Sequence, residues 1–246
     1  MARFFLPKER IRDRRGTIVG EELAHLRKVL RLGPGDPLTV FDDTGWEHEA
    51  VIRALRADQG DLDILRSYRA ERESPVQITL ALGLTKGEKM DLVVEKATEL
   101  GVQTLVPFVS TYTVPKLNER KVEARTERWQ RIAVSAAKQC GRTRIPKILT
   151  LCDFQELVRQ PWTDTLKLLF WEREGQQTLK QVHETECDVR GILLVIGPEG
   201  GFSFDEADTA REHGFKLVRL GRRTLRAETA AVTVLSIAQF LWGDLG

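Results

Sequence analysis

The sequence predicts an α/β protein in two parts, a small β-barrel followed by a larger and mostly parallel α/β sheet. Three observations predict it. Short strands bounded by Gly, Pro or Asp crowd residues 1–70. Strands and helices alternate from Val76 to the C-terminus. A charged stretch at 69–73, followed by Ser74-Pro75, separates the two patterns and reads as a linker. The expected domains are therefore 1–70 and 74–246.

In the first part, strands are expected at residues 3–6, 17–19, 37–42, 46–55 and 61–65. One helix interrupts them at 21–32. It places Leu23, Leu26, Val29 and Leu30 on one face, and Gly33-Pro34 stops it. In the second part, an apolar strand is expected at 76–82. A helix at 89–100 carries Met90, Val93, Val94, Ala97 and Leu100 inward, and Gly101 closes it. A strand at 104–109 precedes a long helix at 119–139, with Trp129, Ile132, Ala133, Ala136 and Ala137 inward. A short helix starts at 154–158, and strands follow at 166–171 and 192–196. Ser203-Phe204-Asp205-Glu206 is a capping box, so a helix runs from there to Gly214. A strand at 215–220 and a helix at 227–242 complete the chain.

The chain has 246 residues, 41% hydrophobic and 30% charged, which suits a globular protein with a sizeable core and excludes large-scale disorder. No run of about 18 apolar residues is present, so no membrane span is expected. The N-terminal Met1-Ala2-Arg3-Phe4-Phe5-Leu6-Pro7 lacks the apolar stretch of a signal peptide. Cys140, Cys152 and Cys187 are widely spaced and form no C-x-x-C pair. With His25, His48, His183 and His213 they predict neither a metal site nor a disulfide framework. A reducing, cytoplasmic location follows.

Net charge is only +2, but it is unevenly spread. Residues 1–31 hold nine Lys/Arg against four acids, and residues 116–147 hold ten against three. Arg219, Arg222, Arg223 and Arg226 lie within eight residues. A single such cluster reads as a solvated helix face. Three together point to a phosphate-backbone partner.

Two turns carry chemistry. Gly197-Pro198-Glu199-Gly200-Gly201 lies between a buried strand and a capped helix, at the strand end where open α/β sheets bind ligands. Its glycines let backbone approach a ligand closely, or simply make a tight turn. Leu220-Gly221-Arg222-Arg223-Thr224-Leu225-Arg226-Ala227-Glu228-Thr229-Ala230 also leaves a strand and enters a helix, so the two turns can line one pocket. Neither G-x-G-x-x-G nor G-x-x-x-x-G-K-[ST] is present, which disfavours Rossmann and P-loop sites. Absence of G-x-S-x-G disfavours a serine hydrolase. The last helix is apolar almost all round, so it must be buried in the core or against a second copy of the chain.

These segments, with Lys96-Ala97-Thr98-Glu99-Leu100-Gly101-Val102 and Gln139-Cys140-Gly141-Arg142, resemble those of the RsmE family of bacterial 16S rRNA uridine-N3 methyltransferases. The likeness spans nearly the whole chain. Arg3-Phe4-Phe5 and His25…Val29-Leu30-Arg31 resemble the family's PUA-like RNA-binding domain, and Lys86-Gly87 with Lys89-Met90-Asp91 resembles the start of its catalytic domain. Cys140, Tyr112 and Thr224 depart from the usual pattern.

The resemblance implies a knotted SPOUT-type sheet that binds S-adenosylmethionine at a homodimer interface. It implies a cofactor pocket of Phe170, Trp171, Glu172, Ile196, Gly197, Pro198, Glu199, Gly200, Gly201, Leu220, Gly221, Leu225 and Arg226. Methylation of uridine N3 requires loss of a proton or stabilisation of the developing anion. Arg226 or Arg142 is the candidate cation, and Glu199 and Glu228 are the candidate bases. Glu228 reads equally as a carboxylate facing the helix dipole, and Glu199 as a turn stabiliser. Arg3, Arg10, Arg12, Arg31, Lys86, Arg142 and Arg144 are the expected contacts to 16S rRNA of the small ribosomal subunit. A non-catalytic ribosome-assembly protein is the alternative from another class, and a tRNA 2′-O-methyltransferase is the nearest alternative enzyme.

Overall fold

Short strands with one buried side build the N-terminal part. The computed structural model describes residues 1–114, 118–172 and 177–246; Lys116, one of the expected basic residues, lies outside them. β1 (Arg3–Phe5), β2 (Ile11–Arg12), β3 (Arg15–Val19), β4 (Pro37–Phe41), β5 (Trp46–Leu55) and β6 (Gln59–Arg69) form a curled six-stranded sheet in the order β1-β4-β5-β6-β3-β2. All pairs are antiparallel except β1 with β4. Phe4, Leu6, Ile18, Leu38, Val40, Ile52 and Leu62 fill its core, each at most 1% exposed. Full burial of such a side chain contributes about 1.5–3 kcal/mol.

The helix expected at 21–32 is shorter and changes pitch. α1 (Gly20–Ala24) continues as a π-type turn over His25–Val29. Leu23 and Leu26 are buried as expected, but Val29 is 65% exposed. A π turn holds an extra residue, so Val29 and Leu30 swing off the buried face. Arg31, at φ 55°, then takes the chain out of the helix. Strand β6 is longer than the expected 61–65 and runs into the charged stretch, because the ten residues of β5 offer partners as far as Arg69.

The second part is a parallel sheet. β7 (Gln77–Gly83), α2 (Lys89–Glu99), β8 (Thr104–Val109) and α3 (Glu119–Cys140) open it. β9 (Lys147–Ile148), β10 (Cys152–Asp153), α4 (Phe154–Arg159), β11 (Thr165–Phe170), β12 (Gln177–Thr178) and α5 (Leu179–Thr185) follow. β13 (Gly191–Ile196), α6 (Phe204–Glu212), β14 (Lys216–Arg219) and α7 (Ala227–Trp242) complete it. The order is β10-β8-β7-β13-β11-β14-β12, with β9 beside β8, and every pairing is parallel. Central β13 is buried along its whole length, as an apolar strand covered on both faces must be. This is the SPOUT-type α/β sheet.

Phe108, Phe154, Phe202 and Trp171 pack into one core on this sheet. The expected capping box is present: Ser203 Oγ accepts from the Glu206 N–H at 3.2 Å, and Glu206 Oε2 accepts from the Ser203 N–H at 2.9 Å. Sequence reading passed over α5, although Thr178 and Gln181 cap it in the same way.

Contacts divide the chain into two units, Met1–Glu73 with Ala137–Ile145, and Ser74–Ala136 with Pro146–Gly246. The 137–145 segment thus packs with the first unit although it interrupts the second in sequence. Arg3 explains part of this: its guanidinium donates to the Ala137 carbonyl at 2.9 Å and the Arg142 carbonyl at 2.8 Å, and pairs with Glu47 at 2.7 Å.

Candidate active site

Three neighbouring strands of the second unit, β13, β11 and β14, lie side by side, and short segments that follow their ends come together. These segments line a cavity of about 310 Å³, within the range of about 300–1,000 Å³ that small-molecule sites occupy. After β11 come Trp171 and Glu172, after β13 the 197–201 turn, and after β14 the 220–226 turn. The structure brings together around this cavity the thirteen residues named from the sequence, Phe170, Trp171, Glu172, Ile196, Gly197, Pro198, Glu199, Gly200, Gly201, Leu220, Gly221, Leu225 and Arg226. Arg223, Thr224, Ala227 and Ala230 join them. The Ala227/Ala230 spacing, one helical turn on a buried helix, was the sequence signal for the last two.

Two glycines are needed at the turn, Gly83 for a reason the sequence did not disclose and Gly201 for the backbone freedom expected of it. A Cβ on Gly83, at the end of β7, would lie 2.4 Å from the Pro198 nitrogen, so the turn rests directly on the neighbouring strand's backbone. Gly201 sits at φ 69°, in the left-handed region that a branched side chain resists. Its N–H closes the turn on the Pro198 carbonyl at 2.9 Å.

The candidate carboxylates are not free. Glu199 Oε1 accepts from Lys89 Nζ at 2.8 Å and from the Lys86 N–H at 3.1 Å. Burial raises the Glu199 carboxyl, but the Lys89 hydrogen bond, backbone donors and the Lys89 charge together hold it below the usual range. A carboxylate stabilised in its charged form is a poor base. Glu228 Oε2 is shut from solvent without a hydrogen bond, 3.8 Å from Lys89 Nζ. Lys89 was missed as a site residue because its partners lie more than a hundred positions away.

Arg226, the N-cap of α7, is exposed on the cavity wall and makes no ion pair among the described residues. Arg142, the other candidate cation, is withdrawn: its guanidinium is 5% exposed and gives Nε and Nη2 to Glu73 Oε2 at 3.0 and 2.7 Å. Arg3 is similarly committed to Glu47. Among the expected RNA contacts, Arg10, Arg12, Arg31, Lys86 and Arg144 are exposed. Arg10 and Arg12 share a surface depression with Arg15. Among the described residues, no His/Cys/Asp/Glu group could hold a metal, and no helix is long and apolar enough to cross a membrane.

Residues 72–239 match the family model described as an RNA methyltransferase domain, which fixes the class of protein as an RNA methyltransferase. Ribosomal RNA small subunit methyltransferase E of Aquifex aeolicus is 36% identical, over 92% of this chain and 95% of its own. That of Bacillus subtilis is 29% identical, over 98% and 96%. A Legionella pneumophila methyltransferase solved with bound S-adenosylmethionine superposes with a TM-score of 0.92 at 33% identity, over 99% of both chains. The Neisseria gonorrhoeae ribosomal RNA small subunit methyltransferase E bound to S-adenosyl methionine gives 0.89 at 31%, over the whole of both. The chain belongs to the ribosomal RNA small subunit methyltransferase E family.

Proposed function

We propose that the chain methylates N3 of a uridine in 16S rRNA of the small ribosomal subunit, with S-adenosylmethionine as donor. The cavity at three adjacent strand ends is the observation that carries it. Its apolar walls, Phe170, Trp171, Ile196, Leu220 and Leu225, suit a nucleoside, and its two glycine turns offer backbone groups to polar atoms. When bound, S-adenosylmethionine supplies an electrophilic methyl group on a sulfonium.

The chain's own residues must position the uracil and tolerate negative charge on it. Arg226 stands where its guanidinium stabilises charge developing on the uracil oxygens, lowering the cost of losing the N3 proton. The α7 N-terminus behind it adds positive partial charge. Glu199, already ion-paired, shapes the wall rather than taking the proton. Glu228 is not among the residues that line the cavity. The proton therefore leaves to water, and transfer should quicken as pH rises.

RNA is held by cations exposed to meet phosphates: Arg10, Arg12, Arg31, Lys86 and Arg144. A cytoplasmic location goes with this substrate. We also propose a homodimer through α7. Phe240 is 63% exposed there, with Val232 and Ile237 half-buried, on a helix whose other face packs in the core. A monomer by light scattering at micromolar concentration would contradict the dimer. For the activity, mass-spectrometric mapping of rRNA from cells lacking the chain should find one 3-methyluridine missing from 16S rRNA; an unchanged map overturns the assignment.

A further inference from the structure

Lys89 begins α2, where a positive charge is electrostatically misplaced. The first turn of a helix carries positive partial charge that favours carboxylates over ammonium groups, and the Glu88 N-cap makes no side-chain hydrogen bond there. Two carboxylates from distant parts of the chain compensate. Glu199 receives the ammonium at 2.8 Å, and Glu228 Oε2 lies 3.8 Å from it. The Lys89, Glu199 and Glu228 side chains are 30%, 30% and 15% exposed, so water screens these charges only in part. The Lys86 N–H reaches the same Glu199 oxygen. Glu199 is the middle residue of the turn that walls the cavity, and Glu228 is in the first turn of the helix that closes it. The turn also rests on Gly83, six residues before Lys89. A backbone stop and an ionic tie thus both hold it.

We propose that Lys89 is a positioning residue of the methyl-transfer site, joining Glu199 to Glu228 and so holding the 197–201 wall against the first turns of α2 and α7. The inference rests on the assignment of the cavity to S-adenosylmethionine. Among the described residues Glu199 forms an ion pair with Lys89 alone, and Glu228 is the one other charged group at that ammonium. Removing the ammonium takes away its hydrogen bond and its charge, two of the causes that lower the Glu199 carboxyl, so burial is opposed by the backbone donors alone, the carboxyl rises, and the wall loosens more readily as pH falls. A purely space-filling lysine would leave no such pH signature.

The test is calorimetric titration of the full chain with S-adenosylmethionine, from about pH 5.5 to about pH 8.5, with thermal melts to verify folding. Lys89→Met should weaken binding about tenfold at the alkaline end and further in acid. Lys89→Arg should restore affinity to within about threefold, and Lys89→Met with Glu199→Gln should be no worse than Lys89→Met alone. Glu199→Gln, which leaves the lysine in place, should also weaken binding. Parental affinity of Lys89→Met at every pH overturns the proposal. So does an equal, pH-independent loss in Lys89→Met and Lys89→Arg, or unchanged binding in Glu199→Gln. Absence of binding by the parent chain would instead overturn the cavity assignment itself.

Discussion

Glu73 takes hydrogen bonds from Arg142 Nε and Nη2 on one oxygen and from the Thr143 and Arg144 N–H groups on the other. Glu73→Ala would remove the carboxylate beside the buried Arg142 guanidinium and the acceptor of the Thr143 and Arg144 N–H groups. Loss of about 3 kcal/mol of stability is expected, read by urea unfolding, with Glu73→Gln costing less. His48 predicts a pH effect in the same unit. Burial lowers its pKa although Asp42, at 3.7 Å, pulls it up. Its folded value is therefore below its unfolded one, so the stability it contributes is full above about pH 6.5 and is lost as pH falls through the folded value. Thermal melts should fall between pH 7 and pH 5, and His48→Gln should flatten that fall. Neither residue was legible as structural in the sequence. A guanidinium reads the same whether it faces a phosphate or a carboxylate 69 positions away.

At the scale of elements, the 220–226 turn and α7 form one side of the cavity, and Ala230 marks its size. Ala230→Phe should fill the space and cost about a hundredfold or more in S-adenosylmethionine affinity without unfolding the chain; calorimetry with a thermal melt checks both. Gly201→Val would be a poorer probe, since φ 69° strains any branched residue and mixes folding with binding. The bounds of β5, β8 and α7 were legible to the residue, because apolar spacing and stop signals coincide there. The π turn was not, because its signal is a local choice of hydrogen-bond partner, Leu30 N–H to the His25 carbonyl, that no residue type dictates. The pocket was legible through its paired glycine turns and the family resemblance. The tie at Lys89 was hidden, since it joins α2 to turns far along the chain.

For the whole molecule, RNA recognition should be mainly electrostatic. Affinity should fall with salt by about 0.7–0.9 log units per log unit for each phosphate contact. Reversing charge at Arg10 and Arg12 should weaken RNA binding and flatten that slope while leaving S-adenosylmethionine affinity intact. Filter binding across a salt series tests this, and an unchanged slope would remove the first unit from the RNA-binding surface. A target uridine must also leave its stack, at a cost of a few kcal/mol, so assembled small subunits that pre-expose it should be better substrates than free RNA.

The chain order of the first unit has a consequence during synthesis. Its sheet is complete once β6 has been made, yet Arg3 and Glu73 find their remaining partners only in Ala137–Ile145. Translation at about 5–20 residues per second puts a delay of several seconds between the two. Through that interval the nascent chain carries a sheet whose Arg3 has Glu47 but not the Ala137 and Arg142 carbonyls, and whose Glu73 still lacks Arg142, Thr143 and Arg144. Completion waits for most of α3 to emerge. The amino-terminal unit therefore begins folding first but is sealed late, and a ribosome stalled before codon 145 would hold it open to proteases and chaperones.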